Sequence, residues 1–77
     1  MIEVKNALYI SDYKIEILFN TGEKRIVDLY NSLEGKVFQP LKDVNFFKTF
    51  KINFNTIEGS NGADFAPEYL YELGAKS

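Results

Sequence analysis

Residues 13–19 alternate between apolar and polar side chains more regularly than any other stretch of the chain. The apolar positions are Tyr13, Ile15, Ile17 and Phe19. Successive side chains of an extended strand point to opposite faces, so this spacing predicts a strand with one face in a core. Such a strand is stable only with partner strands and with a layer that covers its apolar face. The chain is therefore predicted to fold around a β-sheet.

The segment after this strand predicts a hairpin and its register. Asn20-Thr21-Gly22 is a turn sequence, and the extended pattern resumes after it. A three-residue loop with its glycine in the left-handed conformation places Val27 on the apolar face and pairs it with Ile15. A two-residue loop would place Lys24 and Asp28 on that face instead. The three-residue loop is therefore favoured.

Two further strands are expected from the pattern. The first covers residues 2–10, and its inward positions would be Ile2, Val4, Asn6, Leu8 and Ile10. The other covers residues 51–57, with Ile52 and Phe54 sharing one face. Together with the hairpin, these strands predict a small, mainly antiparallel β-sheet.

Short helices are predicted around the strands. Asp43 is a candidate N-cap for a helix with the apolar stripe Phe46, Phe47 and Phe50. A closing helix would begin at Pro67, carry Glu68 in its first turn and end at Gly74. Its apolar side would be formed by Tyr69, Leu70 and Leu73, and one more helical turn is plausible within residues 30–35. We therefore predict an α+β fold, with two or three short helices on the sheet, in a single domain over residues 1–77.

The amino-acid composition argues against several kinds of functional site. The 77 residues include no Cys and no His, which argues against disulfides, zinc and a histidine general base. No cofactor is expected, and an enzyme is disfavoured. The net charge of −2 makes nucleic-acid binding unlikely, although Lys42, Lys48 and Lys51 would carry it in the weakest alternative. No apolar run is long enough for a membrane span and the N-terminus lacks a signal-peptide pattern, so we expect a soluble cytoplasmic protein.

Four residues near turns are candidate functional or turn-structuring positions: Asp28, Asn61, Gly62 and Asp64. The two carboxylates could bind a cation or act in acid–base chemistry, which is the small-ligand or enzymatic alternative. The structural interpretation is that Asp28 ends a strand and that Asp64 accepts backbone N–H bonds just before the closing helix. Asn61-Gly62 could cradle an anion with its amides, but a plain tight turn is the simpler interpretation.

Four segments form an ordered set along the chain: Phe19 with Gly22-Glu23, Val27-Asp28-Leu29, the block from Phe38 to Phe46, and Asn61-Gly62-Ala63-Asp64 leading into Ala66-Pro67-Glu68 and Leu70-Tyr71. In this order they resemble the DUF2442 family of small bacterial domains of unknown function. The resemblance covers nearly the whole chain. One difference is Gly59-Ser60, because the family commonly has Trp-Pro directly before this Asn-Gly.

The resemblance implies an α+β domain that occurs alone or joined to a helix-turn-helix domain. Its genes can lie beside those of small toxin-like proteins, which implies an antitoxin role for some members. We therefore expect a protein-interaction domain that binds a toxin-like partner or forms a homodimer. Aromatic residues make up 16% of the chain, more than a small core can cover, so an exposed patch involving Tyr9, Phe54 or Tyr71 is predicted.

Overall fold

The main sheet is antiparallel, and the four strands of it that the structure describes lie side by side in the order in which they occur along the chain. The computed structural model describes residues 1–76, so that Ser77 of the predicted domain lies outside the described part. The strands of this sheet are β1 (Val4–Ser11), β2 (Lys14–Phe19), β3 (Lys24–Asp28) and β6 (Ala75–Lys76). A second, two-stranded sheet contains β4 (Lys51–Asn53) and β5 (Thr56–Glu58). The predicted small α+β fold is confirmed.

The β2–β3 hairpin has the predicted register. Ile15 pairs with Val27, and Ile17 pairs with Arg25. Gly22 has a φ of 88°, the left-handed conformation that the three-residue loop requires. The alternation in β2 therefore places Ile15, Ile17 and Val27 in the core, where all three are fully buried.

Strand β1 corrects the prediction for residues 2–10. Its pairing with β2 is interrupted between Val4 and Asn6 and again between Tyr9 and Ser11, with one extra β1 residue at each place. Because side chains alternate along a strand, one extra residue moves every later side chain to the opposite face. Val4 is buried, but Leu8 is 64% exposed. The inward positions after the first bulge are Ala7 and Tyr9, and the expected inward orientation of Asn6, Leu8 and Ile10 is wrong.

The predicted fourth strand is a hairpin rather than one continuous strand. Asn53 pairs with Thr56, so Phe54 and Asn55 form a two-residue turn between β4 and β5. Both turn residues have positive φ, 51° and 62°, as expected of a type I′ hairpin turn. The backbone N–H of Val4 donates to the carbonyl of Asn55 over 2.9 Å, which places this turn beside the start of β1.

The helices are short and begin where expected. Helix α1 (Val44–Phe47) is capped by Asp43, whose Oδ1 accepts from the N–H of Asn45 over 3.0 Å. Of the predicted stripe, Phe47 is buried, and Phe46 and Phe50 pack partly against the core. Short 3-10 turns cover Tyr30–Ser32 and Gln39–Lys42.

Helix α2 (Pro67–Leu73) begins at the predicted proline. Only Leu70 of its predicted apolar side is buried, whereas Tyr69 and Leu73 are exposed. Gly74 follows the helix, and a Cβ there would lie 2.8 Å from the Cβ of Arg25. Glycine at this position therefore lets the chain pass close to β3 and pair with it as β6.

The core lies on one face of the main sheet. Its buried apolar residues come from the strands, the loops and both helices: Val4, Ile15, Ile17, Phe19, Val27, Leu29, Leu33, Leu41, Phe47, Ile57, Ala63, Phe65 and Leu70. The strand residues that alternate with them point away from this core, because successive side chains of a strand take opposite faces. They form a second face of the sheet, and the side chains on it remain exposed or half-buried.

Candidate functional site

The second face of the main sheet carries aliphatic side chains at adjacent positions. We call it the outer face and define it by Asn6, Leu8, Glu16, Leu18, Lys24 and Ile26. The strand pairing aligns these residues in two rows, Leu8–Glu16–Ile26 and Asn6–Leu18–Lys24. Directly opposed residues of antiparallel strands have Cβ atoms about 4.5–5.5 Å apart, so each row is a line of neighbouring side chains.

The first bulge of β1 creates this surface. Without it Leu8 would point into the core, and with it Leu8 stands beside Glu16 on the outer face. Leu18 and Ile26 are half-buried there, and Leu8 is mostly exposed. Aliphatic side chains of all three long strands therefore lie on one surface of the sheet.

A groove runs across the outer face. Its volume is about 360 Å³, and it is lined by five of the six outer-face residues together with Ala7, on β1, β2 and β3. Glu16 is half-buried in the groove, between Leu8 and Ile26. The groove thus combines three apolar residues with Asn6, Lys24 and the carboxylate of Glu16.

Sequence reasoning missed this surface. It assigned Leu8 to the core because a bulge adds one residue without leaving a clear mark in the sequence. The available signal was Leu18, which is apolar yet lies on the polar side of the most regular strand. Pairing Glu16 with Ile26, which follows from the predicted hairpin register, would have placed a second aliphatic residue beside it.

The two predicted carboxylates do not form a common site. Asp28 lies at the end of β3, and its Oδ1 accepts a hydrogen bond of 3.0 Å from the N–H of Tyr30. Asp64 lies in a β-bridge with Glu58, and its exposed side chain does not cap α2, whose N-cap is Ala66. The expected capping by Asp64 is therefore wrong. Within residues 1–76, no three His, Cys, Asp or Glu side chains come together in an arrangement that could hold a metal ion.

Asn61 and Gly62 form a turn that is tied to a neighbouring loop. Asn61 Oδ1 accepts from the N–H of Ala63 over 3.3 Å, and its Nδ2 donates to the carbonyl of Val37 over 2.7 Å. Gly62 has a φ of 87°, which glycine adopts without strain. Both residues therefore structure the turn. Gly59 precedes this turn and occupies the position where the family commonly has Trp. A Cβ added to Gly59 would lie 2.9 Å from Leu41 Cδ2, so the chain is tightly packed there.

Of the three predicted interface aromatics, Tyr9 and Tyr71 lie apart. Tyr9 is half-buried with its ring centroid 6.4 Å from that of Phe47, near the Ser11 end of β1. Tyr71 packs against Phe19, which pairs with Val4 at the other end of that strand. Phe54 is 83% exposed. Tyr9 and Tyr71 thus belong to opposite ends of the sheet and do not form one patch.

Tyr71 instead belongs to a polar cluster that fixes α2 to the sheet. Its hydroxyl donates to Glu23 Oε1 over 2.5 Å, and its carbonyl accepts from Arg25 Nη1 over 2.8 Å. Arg25 also bonds Glu23 Oε2 over 2.9 Å and lies 3.8 Å from the centroid of the Tyr71 ring. The hydrogen bonds from Tyr71 and Arg25 lower the pKa of Glu23 to about 2. The bond to Glu23, together with burial, raises the pKa of Tyr71.

The three lysines of the nucleic-acid alternative occupy separate elements. Lys42 ends a 3-10 turn and Lys48 follows α1. Lys51 begins β4, where its amine lies 3.6 Å from Glu58. In the described part of the chain, no helix has the length and apolar character needed to cross a membrane.

Comparison with known proteins identifies the family. A family model described as "Protein of unknown function (DUF2442)" matches residues 4–76. No curated protein and no solved structure gives a significant match. Since the match spans nearly all of the chain, the protein belongs to the DUF2442 family.

Proposed function

We propose that this domain is a protein-interaction module that binds its partner through the outer face of the sheet. The observation that carries the proposal is the 64% exposure of Leu8 on a face that also carries the half-buried Leu18 and Ile26. Exposed apolar side chains are costly in water and are commonly found where another protein binds. Binding, rather than catalysis, is the role that this surface supports.

The proposed partner is a basic, toxin-like protein, and this domain would be the neutralising half of the pair in a bacterial cytoplasm. The net charge of −2 suits a basic partner, and Glu16 is the acidic residue that the outer face, which also carries Lys24, would present to it. Complementary charge accelerates encounter and disfavours wrong partners. The resemblance to domains encoded beside small toxin-like proteins supports the same choice.

The other candidate functions have weaker support in the geometry. Asp28 accepts a hydrogen bond from the N–H of Tyr30, and Asp64 lies on a separate loop. The lysines of the nucleic-acid alternative are distributed over different elements, and Lys51 is already near Glu58. Neither set converges on a pocket as the outer-face residues do.

The test is co-expression of the domain with the product of each flanking gene, followed by affinity purification and calorimetry. We expect one product to form a stable complex with the wild-type domain. Leu8→Glu should weaken this complex by at least about tenfold, because it places a charge among aliphatic contacts. The variant should retain its melting temperature, since Leu8 is outside the core.

Val37→Glu is the matched control. Val37 is also an exposed aliphatic residue, at 54%, but it lies in a loop away from the outer face. The complex should tolerate this change. Equal affinities of the wild type and Leu8→Glu for the partner would refute the outer face as the binding surface. A homodimer that Leu8→Glu converts to a monomer would instead assign the face to a second copy and overturn the two-protein proposal.

A further inference from the structure

Glu16 has an unusual position for a carboxylate. It is half-buried on the outer face, with Leu8 opposite it on β1 and Ile26 opposite it on β3. Its carboxylate makes no hydrogen bond or ion pair with any residue in the described part of the chain. A partly desolvated anion gains most from a cation that arrives with its own apolar flank.

The spacing of the two rows on the outer face matches the side-chain spacing of an extended segment. The two rows of the outer face are two residues apart along each strand, which corresponds to about 6.6–6.8 Å. Side chains at alternate positions of an extended segment have the same spacing. One inward side chain can therefore lie over Glu16 while the next lies over Leu18, with the aliphatic part of the first against Leu8.

The surrounding charges restrict which segment fits. Lys24 lies in the row of Leu18, and Lys14 is exposed two residues before Glu16 on β2. Among the described residues that line the groove, Glu16 is the one carboxylate and Leu18 follows it on the same face of β2, so a second basic side chain would meet no acidic partner there. The groove therefore suits a segment with one arginine or lysine followed, two positions later, by an aliphatic residue.

We propose that the groove binds an extended segment of the partner protein, with a single basic side chain on Glu16 and an aliphatic side chain on Leu18. This inference rests on the proposed function and specifies the chemistry of the partner. Arginine fits best, because its planar guanidinium bonds a carboxylate with two N–H groups while its methylene stem packs on Leu8.

The test is a double-mutant cycle with a synthetic probe. The probe is an eight-residue peptide with arginine and leucine at successive inward positions and threonine between them. Its control replaces arginine by citrulline, which keeps the shape and removes the charge. Affinities of both peptides for the wild type and for Glu16→Gln are measured by amide chemical-shift titration at low salt.

We expect the arginine peptide to shift amide signals of the outer-face residues and to bind the wild type at least about tenfold more tightly than the citrulline peptide does. In Glu16→Gln the two peptides should bind equally. Unchanged preference for arginine in Glu16→Gln, or shifts confined to another surface, would overturn the assignment. If Leu8→Glu abolishes the partner complex while Glu16→Gln leaves it intact, the proposed function stands and the basic-segment inference fails.

Discussion

Adjacent phenylalanines in α1 provide a sharp test of the core. Phe47 is 2% exposed, and its ring lies 5.4 Å from that of Tyr13 and 6.4 Å from that of Tyr9. Phe46 packs only partly against the core. Both substitutions to alanine improve helix propensity equally, so the difference between them reports burial alone.

The expected loss in free energy of unfolding can be compared with the total stability of a domain of this size. Phe47→Ala should cost about 3–5 kcal/mol through lost burial and the cavity left among the rings. Phe46→Ala should cost about 1–2 kcal/mol, since about half of its transfer free energy is realised. A chain of 77 residues has a total stability of about 4–12 kcal/mol, so Phe47→Ala removes a large fraction of it.

Urea unfolding followed by circular dichroism measures both effects. With an m-value of about 1 kcal/mol/M, Phe47→Ala should lower the midpoint by about 3 M or more, and Phe46→Ala by about 1–2 M. Equal shifts for the two variants would refute the placement of Phe47 in the core. A larger shift for Phe46→Ala would mean that α1 is rotated relative to the sheet.

Three further predictions concern single residues outside the core. Phe54→Asn should raise the free energy of unfolding by about 0.5–1 kcal/mol, measured in urea, because asparagine tolerates the positive φ and Phe54 makes little contact. Asp43→Ala should cost about 0.5–2 kcal/mol by loss of the cap, whereas Asp64→Ala should change stability by less than about 0.5 kcal/mol in the same assay. Because the pKa of Glu23 falls from 4.5 to about 2 on folding, its stabilising effect is present above pH 4.5 and is lost as the pH falls through about 2. Tyr71→Phe removes the hydrogen bond that is the main cause of this lowered pKa. As the pH falls from 4.5 to about 2, the melting temperature of this variant should therefore fall less steeply than that of the wild type. Parallel plots of melting temperature against pH would contradict the role of Tyr71.

Local sequence determined the parts of the fold whose signals are local. The β2–β3 hairpin followed from the alternation of residues 13–19 and the left-handed Gly22, because only one loop length keeps Val27 on the apolar face. Asp43 and Pro67 marked the starts of both helices for similar reasons, since capping and a fixed proline φ act within one helical turn.

Tertiary structure decided what depends on pairing between distant segments. The bulge in β1 became visible only against β2, and it moved Leu8 from the expected core to the outer face. The turn at Phe54 and Asn55 was likewise recognised only from the pairing of β4 with β5. Neither residue is a glycine, so the sequence did not indicate their positive φ. The candidate site could therefore not be predicted from the sequence, because its residues come from three strands. The one extra residue at the first bulge of β1 determines whether they share a face.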